Sequence, residues 1–297
     1  MKIACCWMYA IGKYGFPPKL SDMLRALPEM AALGFDYVEL EGVGFENLQA
    51  VIDNREQLRG ALGSANVRLS DFAIILPEVI SDDDDLAERA MAAFEEGVQT
   101  AAYLGSPNVW VDSYFPPVEV VSGTLMTDQV VFGQQTRIRI PESFDWPRFW
   151  ARYIGVMKRC TAIARANGVR LLVEPRVGEL CSNSEALLRL IEAVGDDNLG
   201  VILDTAHQHA QKEMLPLSVA KLGQHIHYVH VADNDGLVNR HFVPGTGTID
   251  WDELFLALKR QEFDGYFAVD LELLPDFEQC FVESKRFLEE HARRYGL

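Results

Sequence analysis

The strongest constraint on the fold is a repeated alternation between short apolar runs and segments with helical periodicity. Eight apolar runs of strand length occur along the 297 residues, and amphipathic segments follow them. This alternation is typical of βαβ units, which align their strands in a parallel sheet. No glycine-rich dinucleotide-binding turn follows the first strand, so the pattern favours a closed (β/α)8 barrel over an open doubly wound sheet.

The predicted strands cover residues 3–9, 37–40, 67–75, 108–113, 169–174, 200–204, 226–231 and 266–271. A long irregular loop, about residues 114–143, follows the fourth strand, and loops of this length usually serve a function. No composition shift or linker divides the chain. We therefore predict an α/β protein with one TIM barrel domain over residues 1–297 and a long loop after strand 4.

Composition limits the partners of this chain. The formal net charge is -17, which disfavours nucleic acid and anionic membranes, because both bind clustered Lys and Arg. No apolar run approaches the roughly 20 residues of a membrane span, and the amino terminus lacks the pattern of a secretory signal. Five irregularly spaced cysteines do not form a disulfide framework, and Cys5 and Cys6 are interpreted as buried strand residues. A reducing, cytoplasmic location is expected.

Ionisable residues follow the last four apolar runs directly. Glu174 ends the fifth run, Asp204 the sixth and His230 the seventh, and Asp270 and Glu272 lie at the end of the eighth. Chemistry in a TIM barrel takes place at the carboxyl ends of the strands. Because strand side chains alternate between two faces, these groups would point with their apolar neighbours into the barrel. We predict that one imidazole and three carboxylates converge at its mouth.

Such a cluster requires a neutralising partner, because like charges a few ångströms apart are costly to bury. A divalent cation meets this requirement. Oxygen ligands with one imidazole suit Mn²⁺ or Mg²⁺, and Zn²⁺, Co²⁺ and iron remain open. In an ideal strand Asp270 and Glu272 would face the same way, so either could be the fourth ligand while the other acts on the substrate.

Other polar residues near the strand ends have two interpretations each. Glu39, Glu41 and Asp112 are interpreted as strand caps, although they could also bind hydroxyl groups. Arg176 could fix Glu174 or contact a substrate, and the role of His241 stays open.

Four segments then identify a resemblance: residues 173–176 (Val-Glu-Pro-Arg), 203–207 (Leu-Asp-Thr-Ala-His), 229–236 and the glycine-rich 244–251. They resemble the xylose isomerase-like barrels of the sugar phosphate isomerase/epimerase superfamily. The resemblance implies a metal site of Glu174, Asp204, His230 and a fourth acidic residue. It also implies that His207 and Arg240 bind substrate. The family usually has Glu where this chain has Asp270, one methylene shorter.

The resemblance implies a metal-dependent isomerase or epimerase that moves a proton next to the carbonyl of a ketose or related polyol ketone. Glu174 and Asp270 or Glu272 are the predicted proton-transfer groups, and Arg176 is a further candidate for substrate binding. The alternative is a lyase with the same site: an inosose or dehydroshikimate-type dehydratase, or an enzyme that cleaves 3-keto-glycosides, with His207 as the acid. A homo-oligomer, either a dimer or a tetramer, is expected. An endonuclease is disfavoured by the negative charge, and a non-catalytic sugar-binding role would require that no divalent metal binds.

Overall fold

A computed structural model describes residues 1–124 and 130–297. In these residues the strands are β1 Lys2–Cys5, β2 Tyr37–Val43, β3 Arg68–Ile75, β4 Asn108–Asp112, β5 Glu119–Ser122, β6 Arg137–Arg139, β7 Arg170–Glu174, β8 Leu199–Asp204, β9 Ile226–Val231 and β10 Tyr266–Val269. The α-helices are α1 Met8–Tyr14, α2 Leu20–Ala32, α3 Gly44–Asp53, α4 Arg55–Ala65, α5 Asp84–Leu104, α6 Trp146–Ala166, α7 Ser184–Val194, α8 Thr205–Ala210, α9 Leu215–Leu222, α10 Trp251–Arg260 and α11 Phe277–Tyr295.

Eight parallel strands close into a barrel, in the order β1-β10-β9-β8-β7-β4-β3-β2. The first strand pairs with the last, Lys2 opposite Tyr266, and also with β2, Ala4 opposite Tyr37. Helices cover the outside of this ring, as expected for a (β/α)8 architecture. The predicted TIM barrel is therefore confirmed. In the described part of the chain, no helix combines the length and apolar composition needed to cross a membrane.

Local signals in the sequence set the helix boundaries. The Asp83 side chain accepts hydrogen bonds from the backbone N–H groups of Asp85 and Leu86 at the start of α5. This helix stops at Gly105, whose left-handed conformation suits glycine. Asp145 caps α6 in the same way, through the Arg148 backbone N–H. The acidic run before α5 thus begins a helix, as its sequence indicates.

Two apolar layers support the barrel. The larger one lies between the strands and the surrounding helices. The smaller one fills the inside of the barrel and consists of Ala4, Cys6, Ala73, Trp110, Leu172, Ile202, Tyr228 and Ala268. Four of its members stand two residues before an ionisable group: Leu172, Ile202, Tyr228 and Ala268 precede Glu174, Asp204, His230 and Asp270. The polar groups at the mouth of the barrel therefore lie directly above this interior apolar layer.

Two strands, β1 and β10, end at least two residues before their predicted ends. The chain leaves β1 at Cys5, and Trp7 already has helical dihedral angles before α1. At the other end, β10 stops at Val269, and the Asp270 N–H makes a last bond to the Val231 carbonyl. Residues 270–272 lie outside the strand, so the alternation that would aim Asp270 and Glu272 the same way does not apply to them.

The long segment after β4 is more ordered than predicted. Strands β5 and β6 form an antiparallel pair with Glu119 opposite Arg139, and these two side chains also form an ion pair. Both strands are exposed and only three or four residues long, so they carry no buried face whose pattern could be read in the sequence. Residues 125–129 of the predicted loop lie outside the described residues.

Candidate metal centre

The His230 side chain lies at the centre of the barrel mouth. Its Nδ1 atom hydrogen-bonds Glu174 Oε1 and is 3.7 Å from Asp204 Oδ2. All three residues are buried, and one ligand atom from each lies within 4.8 Å of the other two. The structure thus brings together three of the four residues predicted to bind a metal.

Strand register explains why these side chains meet. Asp204 at the end of β8 is directly opposite His230 in β9, and Leu172 of β7 pairs with Gly200 of β8. Because β7 is the neighbour of β8 in the barrel, Glu174 at the end of β7 lies beside Asp204 at the end of β8. Because parallel strands of a barrel end on one face, three residues far apart in sequence lie close together.

Burial and neighbouring carboxylates dominate the electrostatics of this cluster. Burial raises the pKa of Asp204 to about 7, with Glu174 adding to the effect and His241 opposing it. Burial disfavours charged His230, but Glu174 and Glu39 together raise its pKa well above the usual value. The carboxylates around His230 therefore favour a positive charge at this position.

The donor set fits a divalent metal ion. Asp204 Oδ1 accepts a 2.6 Å hydrogen bond from the His207 backbone N–H, but the buried Oδ2 has no hydrogen-bond partner among the described residues. An unpaired buried carboxylate oxygen is costly, and a cation would satisfy it. Two carboxylates and an imidazole match the ligand preferences of several divalent metals. Glu174, Asp204 and His230 are thus the residues best placed to hold one.

Asp270 is buried nearby, but its carboxylate is bound to other side chains. Oδ1 accepts a hydrogen bond from the Cys6 thiol at 3.0 Å, and Oδ2 is 2.9 Å from His241 Nδ1. Although burial opposes both charges, their attraction raises the pKa of His241 to about 9 and holds the pKa of Asp270 below its usual value. Asp270 and His241 thus form an ion pair next to the cluster of Glu174, Asp204 and His230, which we call the His230 cluster.

Glu272 lies outside the Asp270–His241 ion pair, although its carboxylate accepts a 3.2 Å hydrogen bond from the His241 backbone N–H. Its carboxylate binds the guanidinium of Arg240 at the rim, with Nε 2.8 Å from both oxygens. The Arg240 side chain is 46% exposed. The structure therefore does not bring Glu272 or Arg240 into the His230 cluster, and their predicted catalytic and substrate-binding roles stay predictions.

His207 lies on the wall of the mouth, at the start of α8. Its Nδ1 accepts a 3.3 Å hydrogen bond from the Val177 backbone N–H, and its ring lies 5.2 Å from that of His241 in an edge-on arrangement. Burial and the neighbouring His241 lower the pKa of His207 well below its usual value. A neutral imidazole here is suited to hydrogen-bond a hydroxyl group.

Arg176 connects two strand ends on the other side. Its Nη1 donates a 2.9 Å hydrogen bond to Asp112, and its Nε lies 3.9 Å from Glu174 Oε2. Burial alone would lower the pKa of Arg176, but Asp112 and Glu174 raise it. Glu41 lies near this pair, and burial and Asp112 raise its pKa to about 8. Arg176 thus offsets the negative charge of this wall, as one of its two predicted roles requires.

Sequence reasoning missed several residues of the mouth. Glu39, interpreted as a strand cap, lies 3.3 Å from His230 Nε2, and Cys6, interpreted as strand filler, binds Asp270. Asp71 is fully buried in β3, and neither of its carboxylate oxygens has a hydrogen-bond partner in the described part of the chain. A signal for Asp71 was present, since a carboxylate inside an apolar strand is rare without a functional reason.

The fold and this arrangement of residues define a class, and a family model agrees with it. The model described as "Xylose isomerase-like TIM barrel" matches residues 27–291. The chain therefore belongs to the xylose isomerase-like TIM barrel family.

Among curated relatives, the L-ribulose 3-epimerase of Mesorhizobium japonicum is 30% identical over 250 residues, which cover 80% of this chain and 71% of the relative. The fructoselysine 3-epimerase of Escherichia coli O157:H7 is 25% identical over 125 residues, which cover 41% of this chain and 46% of the relative. The chain thus spans about half the length of some relatives that it matches and most of the length of another.

Solved structures agree in fold. A D-tagatose 3-epimerase-like protein superposes with a TM-score of 0.75 and 19% identity, covering 100% of this chain and 98% of its own. The IolI protein, whose structure contains a bound zinc atom, gives a TM-score of 0.68 and 19% identity, with 99% of each chain covered. At these identities the likeness establishes the shared barrel fold.

Proposed function

We propose that this protein is a divalent-metal-dependent isomerase or epimerase of a ketose or related polyol ketone. The observation that carries the proposal is the convergence of Glu174 and Asp204 on the His230 imidazole at the carboxyl ends of three strands. Similarity to L-ribulose 3-epimerase over 80% of the chain supports a sugar substrate. We propose Mn²⁺ as the metal, with Mg²⁺, Co²⁺ and Zn²⁺ as the alternatives that the ligand set permits.

Glu174, Asp204 and His230 would hold the metal, with Asp270 as the fourth ligand if its carboxylate turns from His241. A bound divalent cation would supply Lewis-acid stabilisation of the negative charge that develops on the carbonyl oxygen.

Proton transfer is assigned to groups on two sides of the mouth. Glu174 accepts the proton from the carbon next to the carbonyl, and the Asp270–His241 pair donates a second proton to the opposite face of that carbon in an epimerase, or to the former carbonyl carbon in an isomerase. Glu174 then loses its proton to solvent between turnovers, and the pair regains one from solvent. Glu174 ends β7, Asp270 follows β10, and His241 lies in the loop after β9. Burial of the two carboxylates limits access of bulk water to them. His207 and Arg176, on the walls, would bind substrate hydroxyl groups and fix the orientation of the carbon.

A lyase is the second candidate, and the Asp270–His241 pair favours it. The His241 side chain is 13% exposed and its pKa is raised to about 9, so it stays protonated at neutral pH and could protonate a departing oxygen. Neutral His207 suits this acid role less well, because its pKa is lowered. In a lyase the β-leaving group would depart with its electron pair after the same initial loss of a proton.

The test is incubation of manganese-loaded protein in D₂O with free ketoses, inososes and 3-keto-glycosides, followed by NMR and mass spectrometry. Incorporation of deuterium next to the carbonyl together with a new isomer is the expected result. Loss of water or of an aglycone would instead identify a lyase. If no carbonyl compound exchanged its proton, the proposed function would be wrong.

A matched variant makes the test specific to the site. Glu174→Gln keeps the shape of the side chain but removes the proposed base and a metal ligand, so exchange should fall by at least about 1000-fold. Glu213→Gln is the control, because Glu213 bonds Ser184 and Ser218 on the outer helices. This control should keep the wild-type exchange rate.

A further inference from the structure

We propose that Glu39 is a positioning residue that holds the His230 imidazole from behind, so that Nδ1 faces the metal. This inference rests on the proposed function, since it assumes that His230 is a metal ligand. It adds a residue that none of the family segments in the sequence contains, because Glu39 lies on β2, far along the chain from the other groups.

The two nitrogens of His230 face different partners. Nδ1 faces Glu174 and Asp204, whereas Nε2 lies 3.3 Å from Glu39 Oε1, an ion-pair contact, and makes no hydrogen bond among the described residues. The side chains of His230 and Glu39 are 2% and 1% exposed, so water does not compete for this contact. If Nδ1 binds the cation, the proton of the neutral imidazole must be on Nε2, where it faces the Glu39 carboxylate.

Glu39 is itself held in place. Its Oε1 accepts a 2.8 Å hydrogen bond from the Tyr228 hydroxyl, and its Oε2 accepts a 3.0 Å bond from the Trp7 backbone N–H. A register shift between Val38 and Glu39 in the pairing of β2 with β3 marks a local irregularity at this position. Such irregularities re-aim side chains near active sites. Glu39 is therefore anchored from β9 and from the turn before α1.

A direct role for Glu39 as a metal ligand is the competing interpretation, because Cys6, Glu39 and His230 also offer ligand atoms within 4.8 Å of one another. The hydrogen bonds argue against it. Both oxygens of Glu39 already accept a hydrogen bond, and the Cys6 thiol donates its hydrogen bond to Asp270. Asp204 Oδ2, by contrast, has no such partner in the described part of the chain and lies on the Nδ1 side.

The chemistry of metal sites explains the contact. A ligating histidine usually donates its second N–H to a carboxylate or carbonyl, which fixes the tautomer and makes the ligating nitrogen more basic. Loss of such a partner typically costs 10- to 100-fold in metal affinity or activity.

The test compares metal binding by the wild-type protein, Glu39→Gln and Glu41→Gln. Glu41 is the matched control: it lies on the same strand, is buried and faces Asp112 and Arg176. Titration with Mn²⁺, followed by electron paramagnetic resonance, should give a Kd about 10- to 100-fold higher for Glu39→Gln. The Glu41→Gln value should stay within about threefold of wild type. Substitution with Co²⁺ should also shift the visible absorption bands in Glu39→Gln, which a merely structural role would not do.

Tyr228→Phe is the second variant. It keeps Glu39 but removes one of the two hydrogen bonds that orient it, so a smaller loss of affinity, about fivefold, is expected. If Glu39→Gln fails to fold, the metal affinity of Tyr228→Phe tests the inference instead. Wild-type Kd values and cobalt spectra in the folded Glu39 and Tyr228 variants would overturn the inference and leave the proposed function intact. A wild-type protein that binds no divalent metal would overturn both, and one that binds metal without proton exchange would overturn the proposed function alone.

Discussion

At the scale of single residues, the pairing of His241 with Asp270 separates this chain from the sequence pattern that it resembles. An Asp is one methylene shorter than the Glu expected at this position, and His241 reaches its carboxylate, with Nδ1 2.9 Å from Oδ2. The imidazole thus brings a protonated group to the mouth of the barrel.

This pairing predicts the behaviour of His241→Gln. The variant removes the proposed proton donor, so kcat for the proton-exchange reaction should fall by about 100-fold. Metal affinity should not fall, because the Glu174, Asp204 and His230 cluster stays intact and Asp270 is released from its ion pair. Steady-state kinetics and a manganese titration measure the two effects. An unchanged kcat would show that His241 has no part in proton transfer.

At the scale of elements, the glycine-rich turn after β9 is organised by one buried carboxylate. Asp233 accepts hydrogen bonds from the backbone N–H groups of Asn234, Gly245 and Ile249 and from the indole N–H of Trp251. A Cβ atom on Gly247 would lie 2.2 Å from Asp233 Oδ1 and 2.3 Å from the Asn234 carbonyl oxygen. The turn therefore requires both the acid and a residue without a side chain.

Asp233→Ala should lower the free energy of unfolding by about 3 kcal/mol, because four donors lose a buried acceptor. Asp235→Ala is the comparison. Asp235 is exposed and caps only the backbone N–H groups of Leu237 and Val238, so the expected loss is below about 1 kcal/mol. Urea denaturation measures both values. Equal losses would show that Asp233 is no more important to the turn than an exposed cap.

The elements also show what the sequence could predict. Strands β7, β8 and β9 were predictable nearly to the residue, because each is an apolar run that stops at Glu174, Asp204 or just after His230. The position of Glu39 on the far side of His230 was not predictable, since it depends on how the strands pair around the ring. The hairpin of β5 and β6 was missed because it buries no apolar face.

At the scale of the whole molecule, stability should depend on pH through His227. Burial, together with Arg170 and His225, lowers the pKa of His227 to about 4, although Asp264 opposes this shift. In the unfolded chain the pKa of His227 is about 6.5. Between pH ~6.5 and about 4, the unfolded chain therefore binds a proton at His227 that the folded chain does not bind. The contribution of His227 is therefore fully present above pH ~6.5 and is lost as the pH falls toward 4.

Denaturation at several pH values between 7 and 4 should show this loss in the wild-type protein. The fall in stability should be shallower in His227→Gln, because a glutamine does not titrate. Parallel curves for the two proteins would mean that other groups account for the acid sensitivity.

Metal binding should also stabilise the whole barrel. A ligand that binds only the folded state adds about 2.7 kcal/mol at a concentration 100 times its Kd. For a protein of this size that corresponds to a rise in Tm of about 4 °C. Thermal unfolding with excess Mn²⁺ and with a chelator measures the difference, which should disappear in Glu174→Gln. A Tm insensitive to Mn²⁺ in the wild-type protein would contradict the proposed metal site.

The seam between β1 and β10 has a consequence for biosynthesis. The Cys6 thiol reaches Asp270 across this seam, and the partners of His230 come from β2, β7 and β8. Until residues 266–270 have been synthesised, the chain lacks β10, which is the eighth strand of the barrel, and also lacks Asp270 at the mouth. Full metal affinity should therefore arise late in synthesis, when the last strand joins the first, and binding of a metal ion would report that the ring has closed.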